Sequence, residues 1–200
     1  MKYIDTIRRR FDNPKVPVFR LGELKLIKGI SAAYLKLLVH NMLKKGEIKR
    51  ITKGAYTFHD NADVVCFAFM PAYYGLEDAL SIRGISEQGT NPIVITIRNV
   101  RRGERNFEGK RYIVYRIAKR LFFGYDMIEK GGMWLPVSDV EKTLIDLIHF
   151  RVGIREELWP GILQSIDKIK LEGYLARCDN RTRKRVEEEL AKHGFYEKAA

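Results

Sequence analysis

The side chains best suited to catalysis or metal binding are scattered along the chain. Glu77 and Asp78 are adjacent in a predicted helix, so their carboxylates point in different directions and do not form an acid/base pair. Asp146 and His149 lie three residues apart on another predicted helix, a spacing that would place two metal ligands on one face. Two ligands without a third are a weak metal signal. We interpret both as surface groups or as groups that support a neighbouring side chain.

Known catalytic motifs are missing from the sequence. It contains no G-x-x-x-x-G-K phosphate loop, no G-x-S-x-G nucleophile elbow and no Cys/His array. Cys66 and Cys178 have no neighbours at ligand spacing, so we expect two reduced thiols. The sequence therefore predicts no catalytic residue, no metal site, no cofactor and no enzymatic activity.

Positive charge is concentrated in the first third of the chain. The 200 residues carry a formal net charge of +12, and residues 1–60 contain 14 Lys and Arg against 5 Asp and Glu. Such a local excess marks a surface for nucleic acid or anionic lipid. The longest wholly apolar run, Val64 to Met70, is far shorter than the roughly 20 residues that span a bilayer, and no secretory segment opens the sequence. We therefore expect a cytoplasmic protein that binds nucleic acid and no membrane.

Three helices and a hairpin are predicted to position these charges. Helical spacing of apolar residues begins at Tyr3 and ends at Phe11, and a second helix is predicted from Leu21 to Lys28, ending at Gly29. Ser31 is suited to cap a third helix, which Gly46 ends. Its predicted core stripe consists of Leu35, Leu38, Val39 and Met42.

The third helix is followed by a cationic hairpin. Strands are predicted from Glu47 to Ile51 and from Ala55 to Phe58, with Tyr56 and Phe58 packing the hairpin onto the helices. This order of elements is that of a winged helix-turn-helix, in which the third helix enters the major groove and the wing lies along phosphates. The residues predicted to contact DNA are Ser31, Ala33, Tyr34, Lys36, Leu37, His40, Lys44, Lys49, Arg50 and Lys53.

These residue types suit different parts of a duplex. Lys36 and His40 are the candidates for contacts to bases, and the methyl-bearing side chains of Ala33 and Leu37 suit thymine methyl groups. Ser31 and Tyr34 lie near the helix start, where phosphates bind. The wing cations would neutralise phosphates and release counterions, which provides affinity without sequence information.

The remaining two thirds of the chain read as strands followed by helices. Strands are predicted at Pro92 to Ile97 and Arg111 to Ile117, a core helix at Glu141 to Phe150, and further helices from Arg155 to His193. Residues 98–111, between the two strands, contain six cations against two acids. This segment is either an exposed hairpin tip or a second contact to nucleic acid.

Three stretches resemble the AbiEi family of transcriptional regulators. The run from Val18 to Phe58 is similar to the family's N-terminal winged helix, and PAYYGLEDALSIRGI, Pro71 to Ile85, is similar to a family stretch in which an extended piece leads into a helix. LFFGYDMIEKGGMWLPVSDVEKTLIDLIHF, Leu121 to Phe150, resembles the family's closing module, with a Phe-x-Gly strand before a helix. The resemblance covers residues 18–150.

The resemblance implies an antitoxin of a type IV toxin–antitoxin, or abortive-infection, phage-defence system. It implies a repressor that binds double-stranded DNA upstream of its own gene and has a functional link to a nucleotidyltransferase-like toxin. We expect an α+β protein with a winged helix-turn-helix at residues 1–60 and, at residues 61–200, an α+β antitoxin or effector domain with a small, mainly antiparallel sheet and C-terminal helices. A homodimer is compatible with the sequence.

Three other interpretations remain open from the sequence. A stand-alone transcription factor of the same family, without a toxin, fits every residue equally well. A nucleic-acid-processing enzyme with a winged-helix targeting domain would need carboxylates clustered at strand ends, and the two predicted strands contain none. A protein–protein adaptor is the third interpretation, and the basic face of the third helix argues against it.

Overall fold

Helices and a small sheet form the N-terminal part of the computed structural model, which describes residues 2–26, 29 and 31–196. The elements are α1 Lys2–Phe11, β1 Val18–Arg20, α2 Leu21–Leu24, α3 Ala32–Lys44, β2 Lys49–Thr52 and β3 Ala55–Thr57. The three strands pair antiparallel in the order β1-β3-β2. Strand β1 is absent from the sequence-based prediction, whereas the helix-turn-helix and the wing hairpin are confirmed.

The predicted second helix is too long. Helix α2 ends at Leu24, and Leu26, whose side chain is 72% exposed, lies in a turn with its N–H bonded to the carbonyl of Glu23. An exposed leucine at this position breaks the apolar stripe that would hold a longer helix on the core. Lys28, the predicted end, lies outside the described residues. Gly29 has a φ of +85°, the left-handed conformation expected of it.

The N-terminal core lies between the helices and the small sheet. The four predicted stripe residues of α3 are all buried, and they pack with Ile7 and Phe11 of α1 and with Phe19 of β1. The Phe19 ring contacts both Tyr56 and Phe58, with ring centroids 5.8 and 5.7 Å apart. The wing aromatics therefore pack onto the helices, as predicted.

A larger sheet organises the rest of the chain. Its elements are a 3₁₀ segment Ala62–Phe69, β4 Ala72–Tyr74, α4 Leu76–Ile82, β5 Ile93–Thr96, β6 Gly103–Phe107, β7 Lys110–Arg116, β8 Tyr125–Lys130, β9 Met133–Ser138, α5 Val140–Phe150, α6 Trp159–Ser165, α7 Lys168–Leu175 and α8 Asn180–Lys192. Short 3₁₀ turns, Lys119–Leu121 and Glu156–Leu158, precede β8 and α6. The described strands of this sheet have the order β6-β7-β5-β4-β9-β8, with three antiparallel pairings, and with β4–β9 and β5–β7 parallel.

Alternation along the strands divides the core into two layers. Tyr74 and Val94 face a cluster that includes the 3₁₀ segment, whereas their neighbours Tyr73 and Ile95 face a cluster with α4, α5 and α6. The outer side of α5 packs on α7 and α8 in a further cluster. The six-stranded sheet therefore lies between the wing on one side and the C-terminal helices on the other.

The first cluster crosses the predicted domain boundary at residue 60. Val18, Ile51 and Ala55 of the small sheet are buried in it together with side chains of the larger sheet. The wing is thus packed against the larger sheet. The division into residues 1–60 and 61–200 stays a prediction.

Helix α5 holds a buried ion pair. The side chains of Lys142 and Asp146 are completely buried and paired with each other, and the Tyr73 hydroxyl donates to the second Asp146 oxygen at 2.8 Å. Burial raises the pKa of Asp146, and the charge of Lys142 opposes that shift. Of the two interpretations of Asp146, the surface role is therefore wrong, whereas the contacts with Tyr73 and Lys142 inside the core agree with a group that supports neighbouring side chains. Its neighbour His149 is half-buried, and burial lowers the pKa of the imidazole.

A glycine brings β8 close to these helices. Gly124 has a φ of +68°, and a Cβ added there would lie 2.8 Å from the Tyr174 ring and 2.9 Å from the Lys142 Cβ. Only glycine fits this position without displacing a neighbour. The Phe-x-Gly sequence before β8 thus has a packing reason.

The fold class predicted from the sequence is confirmed. The chain is α+β, with an N-terminal winged helix, a mainly antiparallel second sheet and C-terminal helices. Within residues 2–26, 29 and 31–196, no helix is long and apolar enough to cross a bilayer.

Candidate nucleic-acid interface

Helix α3 presents a free outer face. It begins at Ser31, whose hydroxyl accepts a hydrogen bond from the Tyr34 N–H at 3.2 Å, as the capping prediction required. All seven residues predicted to contact DNA from this helix and its cap are exposed. They are Ser31, Ala33, Tyr34, Lys36, Leu37, His40 and Lys44.

Two large side chains on this face have no core role. Leu37 is 54% exposed and Tyr34 is 45% exposed, although both belong to a helix whose opposite side is well buried. The Tyr34 ring meets the edge of Tyr3 at a centroid separation of 6.2 Å. Exposed apolar groups between cations suit contacts with base edges and thymine methyl groups.

The wing cations differ in exposure and in ion pairing. Arg50 and Lys53 are exposed, and Gly54, with a φ of +79°, makes the turn between the strands. Lys49 is only 22% exposed, and its ammonium group is paired with the carboxylate of Asp60. Arg50 and Lys53 are therefore available to phosphates, whereas the charge of Lys49 is already opposed.

The larger sheet holds the wing in place. The Tyr112 hydroxyl donates to the Ile51 carbonyl at 3.0 Å, and the Arg105 guanidinium donates to the Thr52 hydroxyl at 3.3 Å. Both donors come from the β6–β7 hairpin. Because Thr52 is at the end of β2, this hairpin abuts the wing tip.

The segment that the sequence left undecided is therefore largely a β-hairpin beside the wing. Strand β6 occupies residues 103–107, where no strand was predicted, and pairs antiparallel with β7. Four exposed cations lie on it or at its edges. They are Arg101, Arg102, Lys110 and Arg111.

These hairpin cations are not equally free. Arg111 is paired with Glu104 at 3.3 Å, and Arg102 donates to the Arg116 carbonyl at 2.9 Å. Within the described part of the chain, the side chains of Arg101 and Lys110 make no hydrogen bond or ion pair. Both are therefore available to a ligand.

Two further arginines meet at the 3₁₀ segment Ala62–Phe69. Arg20 of β1 and Arg98, after β5, both donate to the Ala68 carbonyl, Arg98 at 3.2 Å. Burial, and next the charge of Arg98, lower the pKa of Arg20. Two positive charges thus lie together at the 3₁₀ segment, one from the small sheet and one from the end of β5.

Sequence reasoning missed Arg20, and it left undecided the role of residues 98–111, which include Arg98 and Arg105. They lie outside the helix-turn-helix and wing, and their proximity depends on contacts between residues 30 to 53 positions apart. The local excess of arginine was the only available signal.

Structural similarity is found across nearly the whole chain. The crystal structure of the RV2827C protein from Mycobacterium tuberculosis matches with a TM-score of 0.59 and 12% sequence identity, covering 96% of this chain and 76% of that one. At this identity the similarity shows a shared fold alone. Among curated proteins, none matches the chain.

A family match covers the winged helix itself. Residues 13–59 match the family described as "Transcriptional regulator, AbiEi antitoxin". The matched segment contains α2, α3 and the wing, which carry all the residues predicted to contact DNA. The winged helix of this chain is therefore similar to that of the AbiEi antitoxin family of transcriptional regulators.

Proposed function

We propose that the protein is a sequence-specific, non-enzymatic DNA-binding regulator that acts in the cytoplasm and represses its own gene. The observation that carries this proposal is the exposed face of α3, which combines Lys36 and His40 with the apolar Leu37 inside the matched segment. Lysine and histidine donate hydrogen bonds to base edges, and apolar groups contact thymine methyl groups.

We further propose that the DNA surface has three parts. Helix α3 reads bases in the major groove, the wing contacts one stretch of phosphates, and the β6–β7 hairpin contacts the phosphates next to it. The bond from Arg105 to Thr52 supports this assignment, since it keeps the hairpin cations beside the wing. Phosphate contacts position the protein, and base contacts specify the sequence.

The antitoxin role is the finer part of the proposal. A type IV locus would place a nucleotidyltransferase-like toxin gene beside this one, and the antitoxin would oppose the toxin's effect without forming a stable complex. Coexpression tests this directly. If this chain restores growth to cells that express the neighbouring gene, the result supports an antitoxin. If a well-expressed chain does not restore growth, the protein is a regulator without an antitoxin role.

DNA binding is tested with the duplex immediately upstream of the gene, against a scrambled duplex of equal length, over a salt series. A preference of about a thousandfold or more, with a steep salt dependence, is expected of a specific reader. The variant Lys36→Gln/Arg50→Gln/Lys53→Gln should lose binding with its circular dichroism unchanged. Equal binding of both duplexes would contradict sequence-specific recognition.

A matched control removes the same charge elsewhere. Arg181→Gln/Lys184→Gln/Lys192→Gln changes three cations of α8, all remote from the winged helix in sequence. We expect this variant to keep the preference for the native duplex. Equal losses in both triple variants would mean that net charge, not the proposed surface, determines binding.

A further inference from the structure

The β8–β9 hairpin leaves one side of the larger sheet unpaired. Within the described residues, β8 is the last strand in the sheet order, and β9 is its one hydrogen-bonded neighbour. Five of its six residues are exposed, and Ile128 is half-buried against the first core cluster. An unpaired strand edge presents N–H and C=O groups that can pair with another strand.

Apolar side chains accompany this edge. Met127 of β8 is 50% exposed and Trp134 of β9 is 55% exposed. Met127 lies opposite Pro136, and Trp134 lies opposite Glu129, so these four side chains are on the same face of the hairpin. A tryptophan and a methionine exposed beside an open edge are characteristic of a protein contact surface.

We propose that β8 pairs antiparallel with β8 of a second copy of this chain, forming a two-fold symmetric dimer with one continuous sheet. The charge order of the strand, Tyr-Asp-Met-Ile-Glu-Lys, matches itself in this arrangement. When Ile128 faces its own symmetry mate, Asp126 of each copy lies opposite Lys130 of the other. Cross-strand pairs of opposite charge stabilise antiparallel strands, and a two-fold axis forms each such pair twice.

The same register joins the apolar groups. Met127 of one copy lies opposite Glu129 of the other, and that Glu129 has Trp134 on its far side. Met127 and the second copy's Trp134 therefore flank one glutamate side chain, and both lose exposed surface. A single pair of strands is a small interface, so we expect micromolar association. The proposal does not depend on DNA binding.

Ion pairs within the single chain allow the contact between copies to be tested by changing charges on β8. In the single chain, Asp126 pairs with Arg83 at 3.1 Å, and Lys130 pairs with Asp63 at 3.2 Å. Lys130→Asp would place two carboxylates opposite each other across the dimer, and the exchange Asp126→Lys/Lys130→Asp would restore opposite charges there. Both variants lose the pair with Asp63, and the exchange also loses the pair with Arg83. Recovery of association by the exchange thus reports on the contact between copies.

Sedimentation equilibrium without DNA, from low to high micromolar protein, measures the association. We expect a monomer–dimer equilibrium that Met127→Glu and Lys130→Asp each weaken by about tenfold or more, because each places two carboxylates opposite each other, and that Asp126→Lys/Lys130→Asp largely recovers. Ile169→Lys, at a residue of α7 that is 83% exposed, is the control and should dimerise like the wild type.

A wild-type chain that stays monomeric throughout this range would overturn the proposal. A dimer that β8 variants leave unchanged would also overturn it, because the contact would then lie elsewhere. Circular dichroism of each variant confirms that the fold is kept.

Discussion

At the scale of single residues, the candidate interface contains cations in different electrostatic states. Arg50 and Lys53 are exposed, whereas Lys49 is held by Asp60, a residue that is itself 73% exposed. A lysine already paired with a carboxylate releases fewer counterions on binding phosphate than a free one. The exposure and the ion pairing of each cation, rather than the number of lysines, therefore determine how much each wing residue is expected to contribute to phosphate binding.

Removing the Asp60 charge should strengthen DNA binding. Asp60→Asn frees Lys49 and removes a negative charge beside the proposed phosphate path, and an exposed pair of this kind is worth about 0.2 to 1 kcal/mol. We expect affinity to rise by a few fold and the salt dependence to become steeper by up to about one unit of slope. Fluorescence anisotropy over a salt series measures both. In the Lys49→Gln background, Asp60→Asn should raise the DNA affinity by less. If it raises the affinity there by the full amount, Lys49 is not the source of the effect.

Asp78 makes stability depend on pH. Burial raises the pKa of its carboxyl group to about 6, against the stabilising hydrogen bonds from the Ile93 N–H at 3.1 Å and the Thr90 hydroxyl at 3.0 Å. Because the folded pKa lies above the unfolded value of about 3.9, the folded state binds more protons between these values, and stability falls as pH rises through them.

The Asp78→Asn variant isolates this effect. Between pH 7.5 and pH 5, the wild type should gain about 1 to 1.5 kcal/mol in free energy of unfolding relative to the variant. Urea unfolding of both proteins at the two pH values gives the difference. If the difference in free energy of unfolding between the wild type and the variant is the same at both pH values, Asp78 titrates alike in the folded and unfolded states.

At the scale of elements, the sequence was most informative where local pattern determines structure. The apolar stripe and cap of α3 predicted its buried and exposed faces, and alternating aromatic residues predicted the wing. Strand β1 has only three residues, and β6, with the sequence Gly-Glu-Arg-Asn-Phe, lacks an apolar alternation. Both form because a partner strand lies beside them, which is information that a single segment does not contain.

The burial of the Lys142–Asp146 pair was not predicted from the sequence, for a related reason. Lysine and aspartate four residues apart on a helix are usually solvent-exposed, and the pattern alone gives no sign that strands and helices cover them. Here the Lys142 ammonium also lies 5.6 Å from the Tyr73 ring centroid and 5.2 Å from that of Phe123. Only the tertiary packing of α5 shows that the pair is internal.

The β6–β7 hairpin supports a prediction about the extent of the DNA surface. Arg101→Gln/Lys110→Gln removes two exposed charges of the hairpin, and we expect the slope of affinity against salt to fall by about one to two, with the preference for the native duplex retained. Arg181→Gln/Lys184→Gln is the matched control in α8. If the two double variants bind alike, the hairpin is outside the contact surface.

At the scale of the whole molecule, the small and large sheets share one hydrophobic cluster. Ile51 is 5% exposed, and its side chain is buried in a cluster of residues from both sides of the predicted boundary at residue 60. The Tyr112 hydroxyl of β7 donates a hydrogen bond to the Ile51 carbonyl. A shared cluster of this kind couples the unfolding of the parts that contribute to it. The winged helix and the larger sheet should therefore unfold together.

The two tryptophans provide a probe of this coupling, because Trp134 and Trp159 both lie in the second part of the chain. Ile51→Ala in the wing should cost about 2 to 4 kcal/mol. For a chain of this length we expect the thermal midpoint to fall by about 5 to 10 °C, by tryptophan fluorescence and by circular dichroism alike. Ile169→Ala, at an exposed residue of α7, should leave both midpoints unchanged. If the variant loses part of its circular dichroism early while the fluorescence midpoint stays in place, the winged helix is an independent folding unit, and the predicted boundary at residue 60 is then also a boundary of stability.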